Sequence, residues 1–137
     1  MEIVIDSSLA LAWALPDETS ARADRLLGRL REEDVLWVPA LWWYEIANAL
    51  MMAERRRRLK EVDRLALIRL YEHLPIQTDS YLTTHTVREI QTLALSHHLS
   101  AYDAAYVELA SRKAIALASL DKRIVQASQD LGLESAL

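Results

Sequence analysis

The chain has 137 residues, of which 52% are hydrophobic and 26% charged, with four Trp, no Cys and a formal net charge of −4. That composition excludes a disordered chain, a disulfide framework and a thiolate metal site. The length suits one domain spanning 1–137, able to bury about two thirds of its unfolded-chain surface, and the acidic balance argues against a purely electrostatic nucleic-acid binder.

The apolar runs Leu9–Leu15 and Val35–Tyr44 fall short of the ~18 residues a membrane span needs, so no membrane association is expected. The opening Met-Glu lacks a basic n-region, so no signal peptide is expected. With the lack of Cys, this makes a cytoplasmic location the expectation.

Taken in order, Ile3-Val4-Ile5 reads as a short buried strand ending in Asp6. Ser8–Leu15 reads as a buried first helix, capped by Ser7 or Ser8 and broken at Pro16-Asp17-Glu18-Thr19. A second helix starts at Thr19 or Ser20, with Ala23, Leu26, Leu27 and Leu30 at helical spacing. Val35–Val38 is the second strand, and Pro39 ends it in a form suited to a helix first turn. Ala40–Arg58 follows as a long helix, with Leu41, Tyr44, Ala47 or Asn48, and Met51 as one stripe. Glu61–His73 is its partner, through Val62, Leu65, Ile68 and Leu70. Pro75-Ile76-Gln77-Thr78 is a third strand. Thr83–His97 is helical, with Val87, Ile90 and Leu93–Leu95 inward. Ser100–Lys113 is a helix capped by Ser100, Ala114–Ser119 the fourth strand and Asp121–Leu131 the last helix, with Gly132 at its C′ position. Strands alternating with helices predict an α/β fold, a short parallel sheet of about four to five strands flanked by helices on both faces.

Ligands of such sheets bind beyond the carboxyl ends of the strands, and four acids stand out by position. Asp6 ends the first strand and Asp121 follows the fourth. If those strands are parallel neighbours, both emerge at one edge. Glu45 lies within the apolar Trp42-Trp43-Tyr44-Glu45-Ile46-Ala47, where an unpaired carboxylate is expensive to bury. Asp103 lies within Tyr102-Asp103-Ala104-Ala105-Tyr106, in a helix first turn that favours an anion. Taken singly, each acid suits a cap or a surface position; together they suit Mg²⁺ or Mn²⁺, which take hard oxygen ligands and relieve carboxylate repulsion. Such an ion can activate water and stabilise a phosphoryl group under in-line attack.

The four stretches around these acids resemble the PIN-domain ribonucleases, most closely the VapC-type toxins of toxin–antitoxin modules. Val4–Trp13 is similar to the family's opening strand and helix, and Val38–Leu50 to its glutamate helix. Leu99–Tyr106 and Ala118–Ile124 are similar to its third and fourth acidic motifs. The resemblance runs in order over nearly the whole chain. It implies a metal-dependent endoribonuclease in which Asp6, Glu45, Asp103 and Asp121 are catalytic and hold the metal, with Asp6 and Asp103 as direct ligands. Ser7, Asn48 and Ser119 would be supporting polar groups. Ser119 stands where the family often has Thr and keeps the hydroxyl.

The resemblance also implies a homodimer, an RNA substrate (a transfer RNA or a ribosomal RNA loop) and a cognate VapB-type antitoxin that places a peptide over the acids. Trp13, Trp42 and Trp43 are either a seat for that peptide or core. Tyr102 and Tyr106 suit base stacking or packing. The basic run Arg55, Arg56, Arg57, Arg58 and Lys60 suits RNA phosphates or a solvated helix end. His97 and His98, adjacent on a helix, do not face one another as zinc ligands would and read as helix-end residues. Asp17 and Glu18 read as surface acids. Two other functions are open. A phosphoryl-transfer receiver or phosphatase would want a second acid beside Asp6, where Ser7 and Ser8 stand. A non-catalytic PIN-like binding or regulatory module would not need all four acids.

Overall fold

The computed structural model describes residues 1–137. The chain runs β1 (Glu2–Ile5), α1 (Ser7–Ala14), α2 (Ala21–Leu27), β2 (Val35–Pro39), α3 (Ala40–Arg55), α4 (Glu61–Glu72), β3 (Ile76–Asp79), α5 (Thr84–His97), α6 (Ala101–Lys113), β4 (Ala116–Ala118) and α7 (Lys122–Asp130). The four strands form one all-parallel sheet in the order β3-β2-β1-β4. β1 is therefore interior, with Val4 opposite Trp37 on one side and Leu117 on the other. Beyond β4 the chain end adds a single bridge, Leu117 to Ser135, so the short β4 is not a bare edge.

Ile3, Val4 and Ile5 are all buried although successive strand side chains point to opposite faces. Helices must therefore cover both faces. α6 packs across β1, β2 and β4, α3 lies on β2 and α7 on β4. Leu36, Val38, Leu109, Leu117 and Ile124 fill the space between the layers.

Helix starts follow side-chain caps. Ser20, Ser100 and Asp121 cap α2, α6 and α7 as expected, and Thr83 forms a capping box with Thr86 at α5. α1 differs: its cap is Asp6, whose carboxylate accepts the Leu9 N–H at 3.1 Å, which frees the Ser7 and Ser8 hydroxyls.

Two other boundaries move for a shared reason. α3 stops at Arg55 rather than Arg58, and β4 begins at Ala116 rather than Ala114. Arg57 (φ 59°) and Ala114 (φ 53°) are left-handed C′ residues. The bonds Arg58 N–H to Ala53 O and Ile115 N–H to Ala110 O, with their inner companions, close Schellman motifs. Gly132 does the same after α7, as expected from its sequence position.

The inward faces of three helices also differ from expectation. On α3 the buried stripe is Trp42, Ile46, Leu50 and Ala53; Leu41 and Met51 are only half-buried at its edge, and Tyr44 is 78% exposed. On α4, Val62, Leu65 and Ile68 are exposed while Tyr71 is buried, its hydroxyl donating to Ala10 O at 2.9 Å. On α5, Ile90, Leu93 and Ala94 pack inward but Val87 and Leu95 do not.

Candidate active site

Because β1 and β4 are parallel neighbours in register Ile5–Ala118, the residues that follow them leave the sheet side by side. Asp6 and Ser119 are those residues. The Ser119 hydroxyl donates to Asp6 Oδ2 at 2.6 Å and accepts the Asp121 N–H at 3.0 Å. The Ser8 hydroxyl lies 2.8 Å from both Asp6 oxygens and accepts the Leu120 N–H at 3.1 Å. Two serines thus stitch the end of β4 to the start of α1 through one carboxylate. Asp6 is only 2% exposed. Burial pushes its carboxyl up to about 6, against the opposing pull of the Ser119, Leu9 and Ser8 hydrogen bonds.

Glu45 reaches the same place from α3. The Ser7 hydroxyl donates to Glu45 Oε2 at 3.2 Å, and the Tyr106 hydroxyl, from α6, donates to Oε1. Burial and the adjoining Glu45 carboxylate push the Tyr106 phenol well above its ordinary range, so it keeps the proton that it donates to Glu45. Asp103, on the first turn of α6, and Asp121, the cap of α7, share Arg123: its Nη2 lies 3.8 Å from one and 3.6 Å from the other. Asp121 sits beside Asp6 through Ser119, so Asp6, Asp103 and Asp121 are linked by one hydroxyl and one guanidinium. Glu45 joins them through Ser7, the residue next to Asp6. A cleft of about 520 Å³ opens alongside, lined by Glu45, Asn48, Asp103 and Ser100 with Leu41, Tyr44 and Tyr102.

All four predicted acids and the three supporting residues Ser7, Asn48 and Ser119 therefore fall in one region. Ser8 and Arg123 have no expected place in the site, and Tyr106, expected to stack on bases or pack, is buried and bonds Glu45 instead. Tyr106 had a signal, since it lies one helical turn after Asp103 and so shares its face. No three of the acids and histidines stand together as a ready-made metal cage; the carboxylates meet Ser7, Ser119, Tyr106 and Arg123 instead. The residue types fit a hard divalent cation: Asp6 and Asp121 follow the neighbouring β1 and β4 ends, Glu45 and Asp103 line the cleft beside them, and all four are oxygen donors.

The basic run lies elsewhere. It follows α3, ten residues or about 15 Å along the helix from Glu45. Arg58 is committed: it binds Asp17 through two 2.7 Å bonds and Glu18 at 3.2 Å. Of the basic run, Arg58 is thus already engaged, and Asp17 and Glu18 are its partners rather than idle surface acids. Arg55, Arg56, Arg57 and Lys60 are exposed and in no ion pair. The tryptophans divide. Trp42 is fully buried with its Nε1 unpartnered; Trp43 is 41% exposed and donates to Thr78; Trp13 is half-buried and donates to Ala23 O. Trp43 lines a second groove, of about 500 Å³, between α3 and α4 with Ile46, Leu50, Met51 and Ile68. His97 and His98 end α5 as expected, His97 facing Asp130 at 3.6 Å.

A doubly covered parallel sheet with carboxylates gathered beyond its β1 and β4 ends defines an α/β protein with an acidic site at the strand termini. The chain belongs to the PIN-domain family, whose model matches residues 3–129. It is 32% identical over 128 residues to Ribonuclease VapC3 of Pyrobaculum aerophilum, a match covering 92% of this chain and 94% of that one. The fold is similar to VapBC2 of Rickettsia felis bound to a DNA fragment from its promoter (TM-score 0.67, 10% identity, 93% of each chain). It is similar also to VapC20 of Mycobacterium tuberculosis, a Sarcin-Ricin loop cleaving toxin (TM-score 0.63, 16% identity, 91% of this chain and 94% of that one). No helix is long and apolar enough to cross a membrane.

Proposed function

We propose that the protein is a metal-dependent endoribonuclease toxin of the VapC type, restrained by a cognate VapB-type antitoxin, with Asp6, Glu45, Asp103 and Asp121 as its catalytic acids. The observation that carries the reading is the linked set of carboxylates at the β1 and β4 ends, with Asp6 buried at its centre. The VapC3 relative, whose name is that of a ribonuclease, supports the activity, and the VapBC assembly supports the partner. The further elements of the proposal are a single PIN domain over 1–137, a homodimer and a cytoplasmic location.

Asp6, Asp103, Glu45 and Asp121 would hold Mg²⁺ or Mn²⁺. When bound, the ion supplies a water of lowered pKa and stabilises charge on the phosphoryl oxygens. The chain's own part is positioning. Three donors fix Asp6 in one orientation, from Ser8, Leu9 and Ser119. Ser7 and Tyr106 fix Glu45 so that its carboxylate can orient the attacking water and accept its proton. Arg123 lies between Asp103 and Asp121 and offsets part of their charge. Arg55, Arg56, Arg57 and Lys60 would carry flanking phosphates of a long RNA, with Arg58 reserved for Asp17 and Glu18.

The binding-only alternative predicts neither metal dependence nor cleavage. Purified protein incubated with total RNA should produce discrete fragments in Mg²⁺ or Mn²⁺ and none in EDTA. Fragmentation that persists undiminished in EDTA, or in the Asp103→Asn protein, would remove the acids from the mechanism.

A further inference from the structure

The cleft beside the acids poses an electrostatic problem. Its lining contains Glu45 and Asp103 and no Lys, Arg or His. The wall's own side chains offer a phosphodiester no positive charge, so beyond what a bound cation holds, a strand of RNA entering there needs an uncharged handle. The wall supplies one. Tyr44 on α3 and Tyr102 on α6 line the same cleft and are 78% and 70% exposed. Neither hydroxyl has a hydrogen-bond partner, in contrast to Tyr106 and Tyr71, whose hydroxyls are both satisfied. Asn48, one turn after Tyr44, adds an exposed amide with no partner, and Leu41 an apolar floor.

We infer that Tyr44 and Tyr102 form a stacking clamp for an unpaired base of single-stranded RNA next to the scissile phosphate, with Asn48 hydrogen-bonding that base's edge. Base faces stack on aromatic rings whatever the sequence, and unpaired nucleotides are the ones whose faces are free. A base held between α3 and α6 leaves its attached phosphate at the rim, where Glu45 and Asp103 stand. The clamp therefore selects loops and single strands over duplex, and Asn48 biases the choice of base. These residues bind and position substrate and take no part in proton transfer.

The inference rests on the ribonuclease reading, and the test separates the two. Binding is measured by fluorescence anisotropy with short labelled single-stranded RNAs, one set carrying 2-aminopurine, in an Asp6→Asn background so that no strand is cut. Cleavage by the parent protein is followed in parallel. Tyr44→Ala and Tyr102→Ala should each weaken binding by roughly tenfold, the loss of one base stack. The slope of log Kd against log salt should stay unchanged, since no phosphate contact is lost. Tyr44→Phe and Tyr102→Phe should restore affinity, 2-aminopurine quenching should vanish with either Ala, and in the active protein KM should rise while kcat holds. A duplex of the same sequence should bind more weakly than the single strand. If the parent cuts RNA and the Ala variants bind as it does, the clamp is wrong and the ribonuclease reading stands. If the Ala variants instead become monomeric with unchanged Kd, the tyrosines belong to an interface between copies of this chain. If the parent neither cuts nor binds any RNA, both readings fall.

Discussion

Removing the charge at Asp6 should stabilise the metal-free protein while destroying its activity. The carboxyl is pushed from 3.8 to about 6, burial being the largest cause. A group that binds its proton more tightly when folded lowers stability as pH rises, because the unfolded chain ionises first. Below about pH 4 both states are protonated and nothing is lost. Between about pH 4 and 6 stability falls, and above 6 the full cost is present. A rise of about two units corresponds to about 3 kcal/mol. Asp6→Asn escapes that cost but turns an amide toward the Ser119 hydroxyl, which now donates to Asp6 at 2.6 Å, at a loss of about 1 kcal/mol. The balance is a gain of about 2 kcal/mol at pH 8, or about 5–10 °C in Tm, shrinking to nothing or to a small loss at pH 4. Urea denaturation of both proteins in EDTA across pH 4–8 measures it. A difference that stays constant with pH would mean that the buried charge is not what Asp6 contributes.

Other perturbations follow from the same structure. Ser119→Ala orphans the Asp121 N–H and removes a donor from Asp6; at pH 7 it should cost about 1–3 kcal/mol, and an unchanged urea midpoint would deny the link. Tyr106→Phe deletes one of two donors to Glu45 with little change in volume; kcat should drop with the fold intact by circular dichroism, and full activity would free Glu45 from the positioning role. Ala114→Gly relieves a left-handed residue after α6 and should raise stability by about 0.5–1 kcal/mol, whereas a loss would contradict the strain. For RNA affinity, Arg58→Ala should matter less than Arg55→Ala or Arg56→Ala, because its guanidinium is held by Asp17 and Glu18. Equal effects in filter binding would place Arg58 on the RNA.

Much of this architecture is readable without coordinates because short apolar runs between caps leave few choices. Ile3-Val4-Ile5 is apolar at every position, which only a strand covered on both faces needs, and the caps Ser20, Ser100 and Asp121 are local devices. Glu45 stands out because a carboxylate among tryptophans requires a reason. The misread faces have a physical cause too. Trp42 and Trp43 are both large and apolar, and adjacent helix residues point in different directions, so one had to be core. Choosing between them requires knowing that α3 lies on β2. The same ambiguity put Tyr44 on the wrong face. Left-handed caps at Arg57 and Ala114 carry no glycine and so give no local signal. Tyr106 and Glu45 are 61 residues apart, and Ser119 and Asp6 are 113. Those pairings are products of the sheet order rather than of any motif.

If the protein is the ribonuclease proposed, the acids around Asp6 are what cut RNA. Induced expression of the parent beside Asp6→Asn, with growth followed and total RNA sequenced for new 5′ ends, tests it most directly. The parent should arrest growth and leave discrete new ends, and the variant should do neither, at equal levels of folded protein. Equal growth and identical 5′ ends in the two cultures, or the same new ends from the variant, would contradict it.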